Sequence, residues 1–294
     1  MAIFTGSGVA IVTPMKENQD VNYEKLEELL EYQIKNGTDS IIICGTTGES
    51  STMTEEEHSK TIKACIDIVN KRIPVIAGTG SNCTRTAVEL SKQAEKDGAD
   101  GVLIVTPYYN KATQAGLKAH YTEIASNIKI PVVMYNVPSR TGCKIEAATV
   151  KELFEKNENI TSIKEATGDI SFVADVMNYT DGKIDLYSGN DDQIVPVLSL
   201  GGKGVISVLA NVAPKETHDM VAKFLEGNVK ESLALQMKYL SLVHSLFSEV
   251  NPIPVKKAMN LMGLNVGGLR LPLTEMSAEK AAVLEQEMKK VGLL

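Results

Sequence analysis

The chain has 294 residues, a formal net charge of −7, 43% hydrophobic residues and 23% charged residues. This composition is that of a globular protein, and α/β barrels commonly reach this length as one domain. The acidic balance, with basic residues that form no stripe, argues against a nucleic-acid partner. No apolar run is long enough to cross a bilayer, so we expect no membrane association.

The N-terminal segment is typical of a first strand and not of a signal peptide, because it has no basic region and Pro14 interrupts its apolar part. The four cysteines contain no C-x-x-C pair and no small disulfide framework, and the histidines are scattered. We therefore expect a cytoplasmic protein with reduced thiols and no metal site.

Short β-rich apolar runs alternate with longer helical patterns along the first part of the chain. The runs are mostly continuous in Val, Ile and Leu, which is typical of parallel strands covered on both faces. Eight strands are predicted in this order: 8–14, 40–45, 74–79, 101–107, 131–136, 160–166, 184–189 and 204–209.

The segments between the strands are amphipathic and have recognisable ends. Asn22 is the expected N-cap of the first helix, and Gly37 is its expected stop. Thr54 with Glu57 three residues later is a capping-box pattern, and the third helix is expected to stop at Gly98.

Eight βα units favour an α/β fold, a (β/α)8 TIM barrel over residues 1–226, with a doubly wound open sheet as the lesser alternative. Residues 227–294 have no strand pattern, and their apolar spacing predicts a three-helix C-terminal extension. No flexible linker precedes it. We therefore expect it to pack on the barrel or on a partner subunit and not to form an independent domain.

Active sites of such barrels lie at the C-terminal ends of the strands. Lys164 lies near the end of the sixth predicted strand, where charged residues are rare. A desolvated amine at this place can attack a carbonyl carbon and form a Schiff base. The alternative is a lysine whose ammonium group extends to solvent.

Other polar side chains follow neighbouring strands. Thr46 and Thr47 lie in a glycine-flanked turn that can hold a carboxylate or phosphate, or can simply cap a helix. Tyr135 is a candidate for proton transfer at the barrel mouth. Arg140 can bind a carboxylate through two parallel hydrogen bonds, or can be a surface arginine.

Five motifs, GTTGES, TPYYN, YNVPSRTG, SIKEA and SGND, occur in this order. With them the chain resembles the dihydrodipicolinate synthase family, pyruvate-dependent class I aldolases of the N-acetylneuraminate lyase superfamily. The resemblance covers almost the whole chain, including 251–264 and 267–276. It implies cofactor-free condensation of pyruvate with L-aspartate 4-semialdehyde in lysine and diaminopimelate biosynthesis, by a homotetramer built from two tight dimers.

The resemblance also implies a role for each matching residue. Lys164 matches the lysine that forms the Schiff base with pyruvate, and Tyr135 the tyrosine that donates and accepts protons. Thr46 and Tyr109 match its partners in a proton relay, in which Tyr109 reaches across a subunit interface.

Four further positions match substrate contacts of the family. Thr47 and the backbone at Ile206 match contacts to pyruvate. Arg140 matches the arginine that receives the carboxylate of the semialdehyde, and Gly189 matches a residue that lines the cavity.

Feedback-inhibited members of the family bind lysine in a cleft between subunits, and four residues match that cleft: Ser50, His58, Asn82 and Tyr108. However, Glu55 stands in the place of a histidine and Thr86 in the place of a glutamate. The sequence therefore predicts weak or absent inhibition by lysine.

Two alternatives remain open at this point. An N-acetylneuraminate lyase or another pyruvate aldolase has no need of Arg140 to grip a semialdehyde carboxylate. A non-catalytic paralogue that binds an oxo acid has no need of the complete set of Lys164, Tyr135, Thr46 and Tyr109.

Overall fold

The computed structural model describes residues 2–294, in which eight parallel strands close into a barrel in chain order. The first strand pairs with both the second and the eighth, so the sheet has no free edge. The predicted TIM barrel is confirmed, and the open-sheet alternative is wrong. The strands are β1 Gly6–Ala10, β2 Ser40–Ile43, β3 Val75–Gly78, β4 Gly101–Val105, β5 Val132–Asn136, β6 Ile160–Glu165, β7 Asp185–Ser188 and β8 Gly204–Ser207.

Helices surround the barrel, and three more follow it, as predicted for residues 227–294. The C-terminal helices pack on the barrel helix that precedes them and on one another. No helix in residues 2–294 combines the length and apolar character that a membrane span requires. The helices are α1 Tyr23–Lys35, α2 Glu55–Val69, α3 Thr84–Asp97, α4 Gln114–Ser126, α5 Pro138–Thr141, α6 Ala147–Lys156, α7 Ile170–Tyr179, α8 Ile194–Ser199, α9 Pro214–Leu225, α10 Val229–Leu246, α11 Ile253–Leu261 and α12 Ala278–Val291.

The predicted helix ends are confirmed by their hydrogen bonds and backbone angles. Asn22 accepts a hydrogen bond from the backbone N–H three residues later, and Thr54 and Glu57 form a reciprocal capping box. Gly98 ends α3 with a φ of 99°, and Gly37 follows the end of α1 with a φ of 85°. These angles favour glycine because it has no Cβ.

Most of the predicted strands end too late. The first was predicted over 8–14 but forms at Gly6–Ala10. Ile11 and Val12 beyond it are still buried, at 1% and 0% exposure. The apolar pattern reports burial, and burial continues into the loops after the regular ladder has ended. The one-turn helix α5 was not predicted.

Two apolar layers form the core. One lies between the strands and the surrounding helices, and the other fills the barrel interior. Near the N-terminal end of the interior, the ring of Phe4 stacks on Tyr187 at 4.4 Å, and the Tyr187 hydroxyl donates to the Phe4 carbonyl at 2.7 Å. These buried side chains occupy that end, and the predicted site lies towards the opposite one.

Candidate active site

Lys164 lies inside the barrel near the end of β6 and is only 6% exposed. The strand register places it between Tyr135 of β5 and Tyr187 of β7. Its Nζ is 4.4 Å from the centre of the Tyr135 ring. The predicted amine and the predicted proton-transfer phenol are therefore neighbours on adjacent strands.

A cavity of about 150 Å³ opens at Lys164. Its other walls include Phe247 and Asn251, which belong to the C-terminal extension. Neither residue was predicted as a site residue. Six of the predicted site residues line this cavity: Thr46, Thr47, Tyr135, Arg140, Lys164 and Gly189.

The other two predicted residues lie outside the cavity lining. Ile206 of β8 is fully buried in the barrel interior. Tyr109 is 91% exposed in the loop after β4, where its φ is 72°. The chain does not bring Tyr109 to its own cavity, so the role of Tyr109 in a relay between subunits stays a prediction.

The GTTGES segment after β2, called here the 45–50 turn, presents the two threonines. Its backbone is held by hydrogen bonds from Gly48 N to Gly45 O and from Glu49 N to Thr46 O, each 3.1 Å long. Glu49 has a left-handed φ of 56°, which is uncommon for a residue with a Cβ. The surrounding structure must therefore hold the turn in this conformation.

A buried ion pair from the extension provides that support. Lys256 Nζ donates to Glu49 Oε1 at 2.5 Å and to the Gly268 carbonyl at 2.6 Å, and neither charged side chain is more than 2% exposed. The other Glu49 oxygen accepts from Arg270 N at 3.1 Å. Burial lowers the pKa of Lys256, and the charge of Glu49 acts in the opposite direction. This pair was not predicted, although a lysine inside the apolar α11 segment was a signal for it.

Gly189 and Arg140 define two other parts of the cavity. A Cβ on Gly189 would lie 2.6 Å from Ala166 Cβ and 3.1 Å from Lys164 Cε, so a glycine leaves the room that the lysine needs. Arg140 lies on α5 and is largely exposed at the cavity mouth. Its guanidinium group is accessible to an anion entering from solvent.

Two buried carboxyl groups that were not predicted support the strand ends. Glu165 accepts from Asn136 Nδ2 at 2.9 Å, and burial raises its pKa. Asp191 accepts from Val208 N at 3.0 Å and from the next backbone N–H at 2.9 Å. Burial raises the pKa of Asp191, while the charge of Lys164 acts in the opposite direction. Asp191 lies in the SGND motif, but its spacing alone did not indicate this role.

A second cavity of about 430 Å³ lies beside the first and shares Thr46 and Arg140 with it. Asn82 lies outside its lining and donates from Nδ2 to the Tyr108 carbonyl at 3.0 Å. Glu55 and Thr86, which depart from the family pattern, line this second cavity. Three residues that match the lysine cleft line it with them: Ser50, His58 and Tyr108.

Within residues 2–294, no three His, Cys, Asp or Glu side chains are placed to hold a metal ion. The four cysteines are free thiols, and only Cys83 is exposed. The cavity collects the Lys164 amine, the Tyr135 phenol and the Arg140 guanidinium, together with three hydroxyl groups and two side-chain amides. These groups can form an imine, move protons and bind carboxylates.

Known proteins match this chain over nearly its whole length. The model of the dihydrodipicolinate synthetase family matches residues 3–291. The chain is 64% identical over 294 residues to 4-hydroxy-tetrahydrodipicolinate synthase of Lachnoclostridium phytofermentans, with all of both chains covered. It is 60% identical to the protein of that name from Acetivibrio thermocellus, with 99% of both covered. Dihydrodipicolinate synthase from Thermotoga maritima has a crystal structure that superimposes with a TM-score of 0.97 at 43% identity, covering 100% of both chains. Matches along its whole length show that the chain belongs to the dihydrodipicolinate synthetase family.

Proposed function

We propose that the chain is a lyase of the class I aldolase type that condenses pyruvate with L-aspartate 4-semialdehyde. The product is 4-hydroxy-tetrahydrodipicolinate, an intermediate of lysine and diaminopimelate biosynthesis. The observation that carries this proposal is the buried Lys164 beside Tyr135 in a cavity reached past Arg140. The names of the relatives that match the full chain support the same function.

The proposed reaction begins when Lys164 Nζ attacks the carbonyl carbon of pyruvate. The adduct loses water and becomes an imine. The pyruvate methyl group then loses a proton, and the resulting enamine carbon attacks the aldehyde carbon of the second substrate. Finally, the amino group of that substrate displaces Lys164 and closes the ring.

Each of these steps moves a proton, and we assign the transfers to Tyr135, Thr46 and Tyr109 from a second copy of the chain. Positioned acid–base groups typically accelerate such steps by about 10²–10⁴-fold. All the bond changes are between carbon, nitrogen and oxygen of the substrates and the lysine amine. The proposed reaction therefore uses no cofactor.

Substrate binding is assigned to four positions. Thr47 and the backbone at Ile206 would hold the pyruvate carboxylate, and Arg140 would receive the carboxylate of the semialdehyde. Gly189 would leave the space in which the imine forms, since a Cβ at this position would lie 3.1 Å from Lys164 Cε.

We also propose a cytoplasmic homotetramer built from two tight dimers, with no nucleic-acid partner. Tyr108 and Tyr109, at 38% and 91% exposure, form an aromatic surface in one loop. Exposed aromatic side chains of this kind are enriched at protein interfaces. Light scattering on the purified protein tests this assembly, and a monomer at micromolar concentration would contradict it.

The enzymatic proposal is tested with pyruvate and L-aspartate 4-semialdehyde in an assay coupled to a reductase that consumes NADPH. Lys164→Ala should abolish turnover, whereas Lys183→Ala, a change at an exposed lysine, should not. Borohydride reduction in the presence of pyruvate should add the mass of the reduced adduct to the parent and not to Lys164→Ala.

The outcomes separate the alternatives. Adduct formation without condensation would exclude the synthase proposal, and turnover of N-acetylmannosamine would then identify an N-acetylneuraminate lyase. If the pyruvate adduct forms but neither aldehyde is converted, the protein only binds an oxo acid. No adduct in the parent would refute the assignment of Lys164.

A further inference from the structure

We propose that Asn251 is a positioning residue that fixes the direction of the Thr47 hydroxyl group. Its amide would keep the Thr47 proton pointed at the carboxylate of the oxo acid. This inference rests on the proposed function, in which Thr47 binds pyruvate. It adds a residue of the C-terminal extension to the binding of the first substrate.

The contact joins two distant parts of the chain. Asn251 Nδ2 donates to Thr47 Oγ1 at 2.9 Å across 204 positions of sequence. Both residues line the cavity at Lys164, and they are only 5% and 2% exposed. Bulk water therefore has little access to either group, and the hydrogen bond between them is protected.

The direction of this hydrogen bond has a consequence for the hydroxyl group. A threonine hydroxyl has one proton to donate and two lone pairs to accept with. Because the Asn251 amide occupies one lone pair, the Thr47 proton is directed away from Asn251 and is free for a different acceptor. A carboxylate in the cavity is such an acceptor, and hydrogen bonds to a charged group are the stronger kind.

The position of Asn251 is itself held firmly. Five residues further on, Lys256 makes the buried ion pair with Glu49, which lies two residues after Thr47. On the other side, Arg140 Nη2 is 3.5 Å from the Asn251 carbonyl oxygen. The segment that carries the amide is therefore held to the 45–50 turn through Lys256 and to α5 through Arg140, which limits its movement relative to Thr47.

The test is a double-mutant cycle read in the KM for pyruvate. Asn251→Ala should raise this KM by about 10-fold, the loss expected when a donor to a charged group is no longer aligned, and should change kcat by less than about 3-fold. In a Thr47→Val background the same Asn251→Ala change should have an effect below about 2-fold, because no hydroxyl remains to be positioned. The KM for the semialdehyde should stay within about 2-fold in all variants.

Asn251→Asp is a second, independent test of the inference, because the aspartate side chain has the same shape as asparagine. An ionised aspartate can only accept, so the Thr47 hydroxyl would turn towards it and away from the substrate. The KM for pyruvate should then rise by more than in Asn251→Ala, by about 100-fold. Ser248→Ala is the matched control in the same segment, because its hydroxyl bonds within the helix end, and it should leave the KM unchanged.

Thermal melting and circular dichroism establish that each variant is folded, and Asn251→Asp keeps the volume of the parent side chain if the alanine variant is unstable. If Asn251→Ala raised the KM for pyruvate by the same factor in the Thr47→Val background as in the parent, the inference would be overturned, since Asn251 would then contact pyruvate directly. A loss of kcat at unchanged KM would overturn it as well. No borohydride-trapped pyruvate adduct in the parent would instead refute the proposed function, and this inference with it.

Discussion

The buried ion pair between Lys256 and Glu49 allows a quantitative test of how the extension supports the barrel. Lys256→Met removes the ammonium group and leaves the fully buried Glu49 carboxylate with the Arg270 backbone N–H as its remaining donor. A buried charge that loses its partner typically costs about 3–5 kcal/mol. We expect Lys256→Met to lower the free energy of unfolding by this amount.

The double variant Glu49→Gln/Lys256→Met separates the charge from the packing. It removes both charges, while a glutamine oxygen can still accept from the Arg270 backbone. Replacing both members of a buried ion pair with uncharged side chains often changes stability little, so we expect the free energy of unfolding to fall by only about 1 kcal/mol. The coupling between the two positions is then about 2–4 kcal/mol.

Urea unfolding at a fixed protein concentration measures these values, because any assembly would make the apparent stability depend on concentration. Lys63→Met is the control, since its pair with Asp67 is exposed and should contribute less than about 1 kcal/mol. Equal losses in the single and double variants would refute the reasoning. We also propose that residues 1–226 and 227–294 unfold together, and a separate transition for the extension would contradict this.

Three other measurements test features of the site and its surroundings. Burial lowers the pKa of His120 to about 4 from 6.5, so its contribution to stability is complete above pH 6.5 and is lost as the pH falls through about 4. This loss is at most about 3.5 kcal/mol, at about 1.4 kcal/mol per pH unit; His120→Gln should remove it from the pH profile of unfolding, while His244→Gln, a change at an exposed residue, should not. Millimolar lysine should inhibit the enzyme weakly or not at all, and Glu55→His/Thr86→Glu should increase inhibition; steep inhibition of the parent would contradict this. Gly189→Ala should reduce borohydride trapping of pyruvate, because the new Cβ would lie 2.6 Å from Ala166 Cβ and 3.1 Å from Lys164 Cε, so that the cavity wall beside the lysine must shift; unchanged trapping would contradict this.

The architecture was predictable because its signals are local. Continuous apolar runs separated by helices occur eight times, and parallel strands of this kind must be covered on both faces. The strand ends were not predictable to the residue. Ile11 and Val12 stay buried beyond the end of β1, and hydrophobicity does not distinguish a paired residue from a buried loop residue.

The site was predictable only in part, for a geometric reason. Thr46, Tyr135 and Lys164 each follow or end a parallel strand, and a closed barrel brings all such ends to one rim. Asn251 and Lys256 reach the same rim from the extension. Their contacts depend on which face of the C-terminal helices meets the 45–50 turn, and a periodic apolar pattern does not encode that choice.

The stacked rings of Phe4 and Tyr187 determine the end of the barrel from which substrates can enter. Since these rings occupy the N-terminal end of the barrel interior, substrates reach Lys164 from the opposite end, beside Arg140. In the proposed reaction, the reactant that binds deepest would therefore arrive before the one that binds above it, and the water released on imine formation would leave along the same route. We therefore expect an ordered addition of the two substrates, set by a passage that opens at one end of the barrel.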